Sequence, residues 1–282
     1  MHNSSFKYIS ISTIWLWLAL FALIPFAVIL IASFMSQGSI QMLQLPFTLS
    51  NYAQLFNEVY VKIFLKSLYL AAITTLFCLV LAYPFAYSLA RSNSHYKHLL
   101  LLLTIIPFWT SSLIRSYAIV ALLKTHGIIN SFLLYLGIIH TPLQLLYTNT
   151  AVLIGLVYNL LPLMVLPLYA NIERLDQQLI EAAKDLGASK FTIFYKILLP
   201  LSIPGILAGS MIVLLPAMTL FYIPDLLGGA KSMLLGNLIQ DQFLFANNWP
   251  LGSAISIILT LIMGIMLWAY WRKSDEMGQE ML

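Results

Sequence analysis

Long apolar runs separated by short polar interruptions dominate this chain from its first residues. The first run covers Thr13–Phe34, and five more occupy roughly 67–89, 99–122, 149–170, 198–221 and 251–271. Each approaches the roughly 20 apolar residues that an α-helix needs to cross a bilayer. The first run exceeds the apolar core of a cleavable leader, and the following "IASFMSQGS" offers no convincing cleavage site, so it reads as a retained membrane helix. The expected fold is an all-α polytopic membrane protein with six transmembrane helices in one domain, residues 1–282.

The polar interruptions are of two kinds. Residues 35–63, 123–148 and 222–250 are modestly apolar, and "FTLSNYAQLF", "INSFLLYLGI" and "QDQFLFANNW" read as short amphipathic helices lying along a membrane surface. Residues 171–200 are different, because Glu181, Lys184, Asp185, Lys190 and Lys196 crowd together there. Asp176 is placed as an N-cap, after which Leu179, Ile180, Ala183 and Leu186 recur at helical spacing. Gly187 is the expected stop, since glycine enters the left-handed region without penalty. Ser189 then caps a second helix in which Phe191, Phe194 and Leu198 recur, and Pro200 and Pro204 lead into the fifth run. The pattern predicts a helix, a tight turn and a helix that enters the membrane. Such an elbow suits docking to a soluble partner or simple covering of the bundle.

Composition supports the membrane reading: 61% of residues are hydrophobic and 9% are charged, with a mean hydropathy of +0.90. The net charge of +4 comes from scattered single residues and forms no basic patch for nucleic acid. It has instead a sidedness. Lys7, Arg91, Lys97, Arg174, Lys184, Lys190, Lys196, Arg272 and Lys273 fall at one set of helix ends, against Lys62, Lys124 and Lys231 at the other. The richer set marks the cytoplasm, which places both termini and the 171–197 loop there. Cys78 is the single cysteine and reads as a small buried apolar residue. The five histidines form no metal constellation; His95 and His98 share a loop but lack further ligands.

Within 171–200, Glu181-Ala182-Ala183, Gly187, Ile197 and Pro200 reproduce the spaced EAA, G and I-LP pattern, in which Ala188 follows the glycine. This resembles the loop of permease subunits of binding-protein-dependent ABC importers. "IIPFWTSSLIRSYA", "LPLSIPGILAGSMIVLLPAM", "FYIPDLLGGAK" and "NWPLGSAIS" resemble the branch of that family serving spermidine and putrescine. The resemblance covers nearly the whole chain. It implies a type I importer permease (MetI-like) of the inner membrane, paired with a second homologous permease as a heterodimer. It further implies an ATPase dimer beneath, to which residues 181–183, 187, 188, 197 and 200 couple, and a periplasmic substrate-binding protein above. ATP and magnesium would bind to the ATPase chain. In keeping with this, no G-x-x-x-x-G-K-S/T loop occurs in the sequence, so neither catalysis nor a cofactor is expected here.

A polyamine is an extended polycation, and its route calls for carboxylates, acceptor oxygens and aromatic faces. No acidic residue falls within the six runs. Asp225, flanked by Tyr222 and a glycine pair, is the foremost carboxylate, with a turn or cap role as its alternative. In "PFWTSSLIRSY", Pro107 frees backbone groups, while Trp109, Thr110, Ser111 and Ser112 place polarity deep in the third run. Irregularity at that depth requires cover from protein or a wet cavity. Trp109 and Ser111 are therefore pathway candidates, joined by Tyr52 and Tyr270, although Trp268, Tyr270 and Trp271 also suit an interfacial aromatic belt. Arg115, with Tyr117 beside it, is read as gating or structural, because a fixed cation would repel the cargo.

Other readings are a permease for ferric iron or sulfate and an ion-coupled secondary transporter. Ion-coupled carriers place carboxylates near the bilayer midplane, and this chain has none there. A membrane-embedded enzyme would need a nucleophile or metal cluster, and no such grouping is present in the sequence.

Overall fold

The computed structural model describes residues 4–38, 43–229 and 232–280, with side chains described over 11–38, 43–93, 96–229 and 232–272. Lys231, counted above for orientation, lies outside the described residues, as do the side chains of Lys7, His95 and Lys273. Every long element is helical. They are α1 (residues 4–33), α2 (Ser50–Gln54), α3 (Glu58–Ala90), α4 (Ser94–Trp109), α5 (Ser112–Leu123) and α6 (Ile128–Tyr135), then α7 (Asn149–Glu173), α8 (Gln177–Asp185), α9 (Lys190–Thr219), α10 (Leu235–Leu244) and α11 (Trp249–Glu280). Six helical stretches among the described residues are long and apolar enough to cross a membrane. The three surface segments expected to be helical contain or overlap α2, α6 and α10.

The third apolar run departs from expectation. Residues 99–122 do not form one helix: α4 ends at Trp109, Thr110 is extended (φ −93°, ψ 145°), and α5 begins at Ser112. The stretch long enough to span here is Ser112–Tyr135, made of α5 and α6, while Tyr96–Trp109 is shorter. The local cause is legible. The Thr110 hydroxyl donates to Pro107 O at 2.8 Å, and its N–H donates to the same carbonyl at 3.3 Å. These short-range bonds compete with helix continuation, as threonine side chains do near helix ends.

The chain divides into two compact units, Met1–Lys62 with Leu238–Met266, and Ile63–Asn237 with Leu267–Leu282. In the first, no side chain over residues 11–31 is buried, as expected where lipid is the solvent. The end of α1 is fastened to α2: Ser33 Oγ and Tyr52 OH lie 2.7 Å apart, and Asn51 Nδ2 donates to the carbonyls of Ser33 and Met35. The second unit holds the fully buried residues Val152, Leu156, Met164, Leu168, Ile172, Val213, Met218 and Leu227. Its most extensive packed pair is α7 with α9. Close approach is possible because Gly205 and Gly209 form a G-x-x-x-G pair on α9; a Cβ at Gly209 would fall 2.7 Å from Met164 Sδ, and one at Gly205 2.7 Å from Asn171 Cβ. Small residues at this spacing let membrane helices gain van der Waals contact. Cys78 is buried, in line with its packing role.

Candidate functional site: an elbow and a polar cluster

The elbow forms as its caps dictate. Asp176 has extended backbone angles, and its Oδ1 accepts from Gln178 N–H at 2.9 Å, satisfying one free donor at the start of α8. Gly187 sits at φ +79°. Around it, Gly187 N–H donates to Lys184 O at 2.9 Å and Ala188 N–H to Ala183 O at 3.0 Å, the paired bonds of a Schellman stop. Ser189 Oγ then accepts from Thr192 N–H at 3.2 Å to open α9. No break separates this helix from the fifth span. A wide turn at Phe194–Leu198, closed by Leu199 N–H to Phe194 O, absorbs the disruption where Pro200 has no N–H to give.

Behind the elbow, Ile180, Ile193 and Leu198 are buried together, with Tyr87, Leu175, Ala183, Ala188 and Phe194 packed around them. Tyr83 OH and Ser202 Oγ, 2.9 Å apart, join α3 to α9 beside this cluster. The apolar stripe expected along α8 is split. At 100° per residue, Leu179 and Leu186 lie to one side of Ala183 and Ile180 to the other. Ile180 turns inward, whereas Leu186 is 89% exposed and Leu179 about half exposed. In α9, Leu198 is inward but Phe191 is 75% exposed, stacked at 5.5 Å on Tyr195, which is also exposed. Glu181 and Ala182 are exposed, Ala183, Ala188 and Ile197 are half-buried, and Pro200 is exposed. The elbow thus has an anchored side and an unclaimed apolar side.

The second cluster lies where α5, α7 and the segment after α9 meet. Ser112 Oγ donates to Asn159 Oδ1 at 2.9 Å, and Tyr222 OH lies 2.5 Å from the same Ser112 oxygen. One hydroxyl has one proton, so Tyr222 must be the donor to Ser112. Asn159 Nδ2 donates to Gly155 O at 2.9 Å, and Ser116 Oγ to Ser112 O at 2.9 Å. Buried polar groups with this degree of pairing fix helices against one another at membrane depth. Asp225 belongs to a wide helical turn, Pro224–Gly228, and its Oδ1 accepts from Asn237 Nδ2, which also donates to Phe221 O at 2.8 Å. Gly229 follows at φ +59°, and a Cβ there would lie 3.0 Å from Tyr147 Cδ1.

Among the sequence-derived candidates, Tyr222 joins Ser112 directly, and Asp225 lies on the next turn. Trp109 (76% exposed), Ser111 and Tyr117 are exposed and are not among the side chains bonded in the cluster. Tyr52 belongs to the first unit and bonds Ser33; Tyr270 is half-buried on α11. Arg115 is buried, its guanidinium carbon 5.6 Å from the centroid of the Phe108 ring, and its Nε and Nη1 have no hydrogen-bond partner among the described residues. Asn159 and Asn237 escaped the sequence reading. For Asn159 a signal was present, since it is the one amide in the interior of the run 149–170, ten residues past Asn149 at its start. Among the described residues, no three His, Cys, Asp or Glu side chains gather where a metal could bind.

Comparison with known proteins agrees with this architecture. Residues 80–271 match the family profile described as binding-protein-dependent transport system inner membrane component. The spermidine/putrescine transport system permease protein PotB of Salmonella typhimurium (strain LT2) is 51% identical over 279 residues, covering 99% of this chain and 97% of the relative. Its Escherichia coli (strain K12) counterpart is 52% identical over 264 residues (94% and 96%), and that of Haemophilus influenzae is 45% identical over 278 residues (99% and 97%). By fold, a chain of a bacterial ABC transporter that imports the acidic polysaccharide alginate superposes with a TM-score of 0.79 at 17% identity, covering 97% of this chain and 96% of that one. A chain of the MetNI methionine ABC transporter in an inward-facing conformation gives 0.54 at 16% identity (77% and 95%).

Proposed function

We propose that this chain, which belongs to the binding-protein-dependent transport system inner membrane component family, is the permease subunit of an ATP-driven importer of spermidine and putrescine. The substrate class is inferred from relatives that share about half of its residues over nearly its whole length. The observation that carries the mechanism is the elbow, folded and anchored on one side with Leu179, Leu186, Phe191 and Tyr195 left outward on the other. A cleft in an ATPase subunit would cover that apolar side, with Glu181, Ala182 and Gly187 setting its outline. ATP and magnesium are then handled by the ATPase, and this chain supplies movement without chemistry.

The movement has a defined carrier. Helix α9 runs 30 residues without interruption, about 45 Å at 1.5 Å per residue, from the elbow to Thr219. Displacing its cytoplasmic end displaces Tyr222 and Asp225 just past its outer end. Tyr222 and Asp225 are this chain's foremost contribution to the polyamine route, with Trp109, Ser111 and Tyr270 as further candidates and Tyr52, in the first unit, as a separate one; a second, homologous permease completes the route. Trp109, Ser111 and Tyr117 point outward from their own chain, as residues shared between two permeases would. Arg115 is packed on Phe108 rather than presented to the cargo, so its role is structural. A periplasmic binding protein delivers the substrate, and both termini lie in the cytoplasm.

Proteoliposomes containing this chain, its partner permease, the ATPase and the binding protein provide the test. Enclosed ATP should drive accumulation of labelled spermidine and putrescine. Uptake that follows a proton or sodium gradient and ignores ATP would overturn the mechanism, and accumulation of sulfate or ferric iron instead would overturn the substrate.

A further inference from the structure

Beside the elbow, an open apolar groove of about 690 Å³ runs between α3, α8 and α9. Its walls descend from Tyr87 to Leu79 on α3, eight residues or about 12 Å, and reach Ile206 on α9. That depth approaches the roughly 15 Å of one hydrocarbon leaflet. At the elbow end the lining changes character, with Lys184 from α8 and Lys190 from the start of α9. Neither lysine forms an ion pair among the described residues, and neither Glu181 nor Asp185 lines the groove. The floor is held by the Tyr83–Ser202 bond and the edge-to-face packing of Tyr83 on Phe194.

We propose that this groove is a binding site for one anionic phospholipid of the cytoplasmic leaflet. An acyl chain lies along the apolar walls, and the phosphate sits between Lys184 and Lys190. The assignment rests on the cytoplasmic placement of the elbow proposed above. Charge selects the lipid: each lysine near an anionic headgroup favours binding about fivefold, so the pair contributes roughly 30-fold over a zwitterionic lipid. Because one wall is α3 and the other is the moving elbow, the bound lipid makes elbow position sensitive to bilayer composition. It would act as a regulator of coupling and not as a substrate.

Native mass spectrometry of the intact importer, purified with equal dioleoylphosphatidylglycerol and dioleoylphosphatidylcholine, tests the site. The wild type should retain phosphatidylglycerol preferentially. Lys184→Gln with Lys190→Gln should lower that preference roughly 30-fold, Lys184→Arg with Lys190→Arg should keep it, and Ile206→Trp should expel both lipids by filling the groove. Unchanged phosphatidylglycerol retention in the double glutamine variant would overturn the proposal. So would efficient cross-linking of Val80→Cys to the partner permease, which would show that protein covers the groove. ATP-driven polyamine uptake by the same preparations reports on the transport reading separately, since a complex can pass that assay and fail the lipid one.

Discussion

Single side chains here do work that depends on which proton goes where. Ser112 can donate only once and gives its proton to Asn159, which obliges Tyr222 to act as donor to Ser112. The Tyr222 hydroxyl is thereby committed to the helix cluster, and in the proposed route its ring is the part left for a passing cation. Asp225 is the complementary case, an exposed carboxylate kept in position by Asn237. Replacing Asp225 with Asn removes the charge and preserves the shape. Spermidine uptake should fall about tenfold, as loss of one partly exposed charge-assisted contact of 1–2 kcal/mol would give. The assembled complex should purify in normal yield. Uptake at the wild-type rate would return Asp225 to a purely structural role. The sequence marked Tyr222 and Asp225 because they stand out against an apolar background, but it did not reveal Asn159 and Asn237. A lone amide has no partner visible in one dimension; its value comes from which helix faces it.

At the level of elements, the elbow was the most legible part of the chain. Asp176, Gly187 and Ser189 act on backbone groups within four residues, so local chemistry alone fixes where α8 starts, where it stops and where α9 begins. Faces were less legible. A stripe of four apolar residues along α8 and its capping residue Leu186 announced amphipathicity, yet only the surrounding helices decide that Ile180 is covered and Leu186 is not. The broken third span teaches the same lesson from the other side. Hydropathy averages over a window and passes through Thr110, whereas the backbone turns there because two bonds converge on Pro107 O. Gly187→Val tests the elbow directly. A β-branched residue at φ +79° costs about 1–2 kcal/mol or more, and no neighbour within 4 Å would obstruct the added carbon, so the penalty is conformational. The variant should insert and assemble, while ATP hydrolysis by the complex loses its stimulation by the loaded binding protein. Normal stimulation and normal uptake would show that the turn is dispensable to coupling.

For the molecule as a whole, the consequential property is sidedness. In the orientation proposed from the lysine and arginine distribution, the elbow lies inside and Thr125 and Gln144, which line a pocket, lie outside. Single cysteines introduced at Ser189 and Thr125, in a Cys78→Ser background, should therefore react oppositely with a membrane-impermeant maleimide. Intact spheroplasts should label the Thr125→Cys protein, and inverted vesicles the Ser189→Cys protein. The reverse pattern would invert the topology and leave an ATPase no access to the elbow. The class of fold was readable at this scale because lipid imposes so few solutions: backbone groups must be satisfied internally, and long apolar runs become helices. Which helices touch was not readable, since every run presents similar grease. The small-residue pair Gly205 and Gly209 is the exception that identifies one partner face.

The uninterrupted course of α9 has a consequence for efficiency. A shaft gripped at one end and loaded at the other transmits a stroke only as well as it resists flexing, and α9 departs from regular helical bonding at the wide turn Phe194–Leu198 and at Pro204 and Pro216. In the proposed importer, slippage, meaning nucleotide consumed with no cargo delivered, would then depend on the mechanics of these few positions. On that proposal, stiffening or loosening the turn would change how many ATP molecules each imported polyamine requires without altering the elbow's outward face or Tyr222 and Asp225.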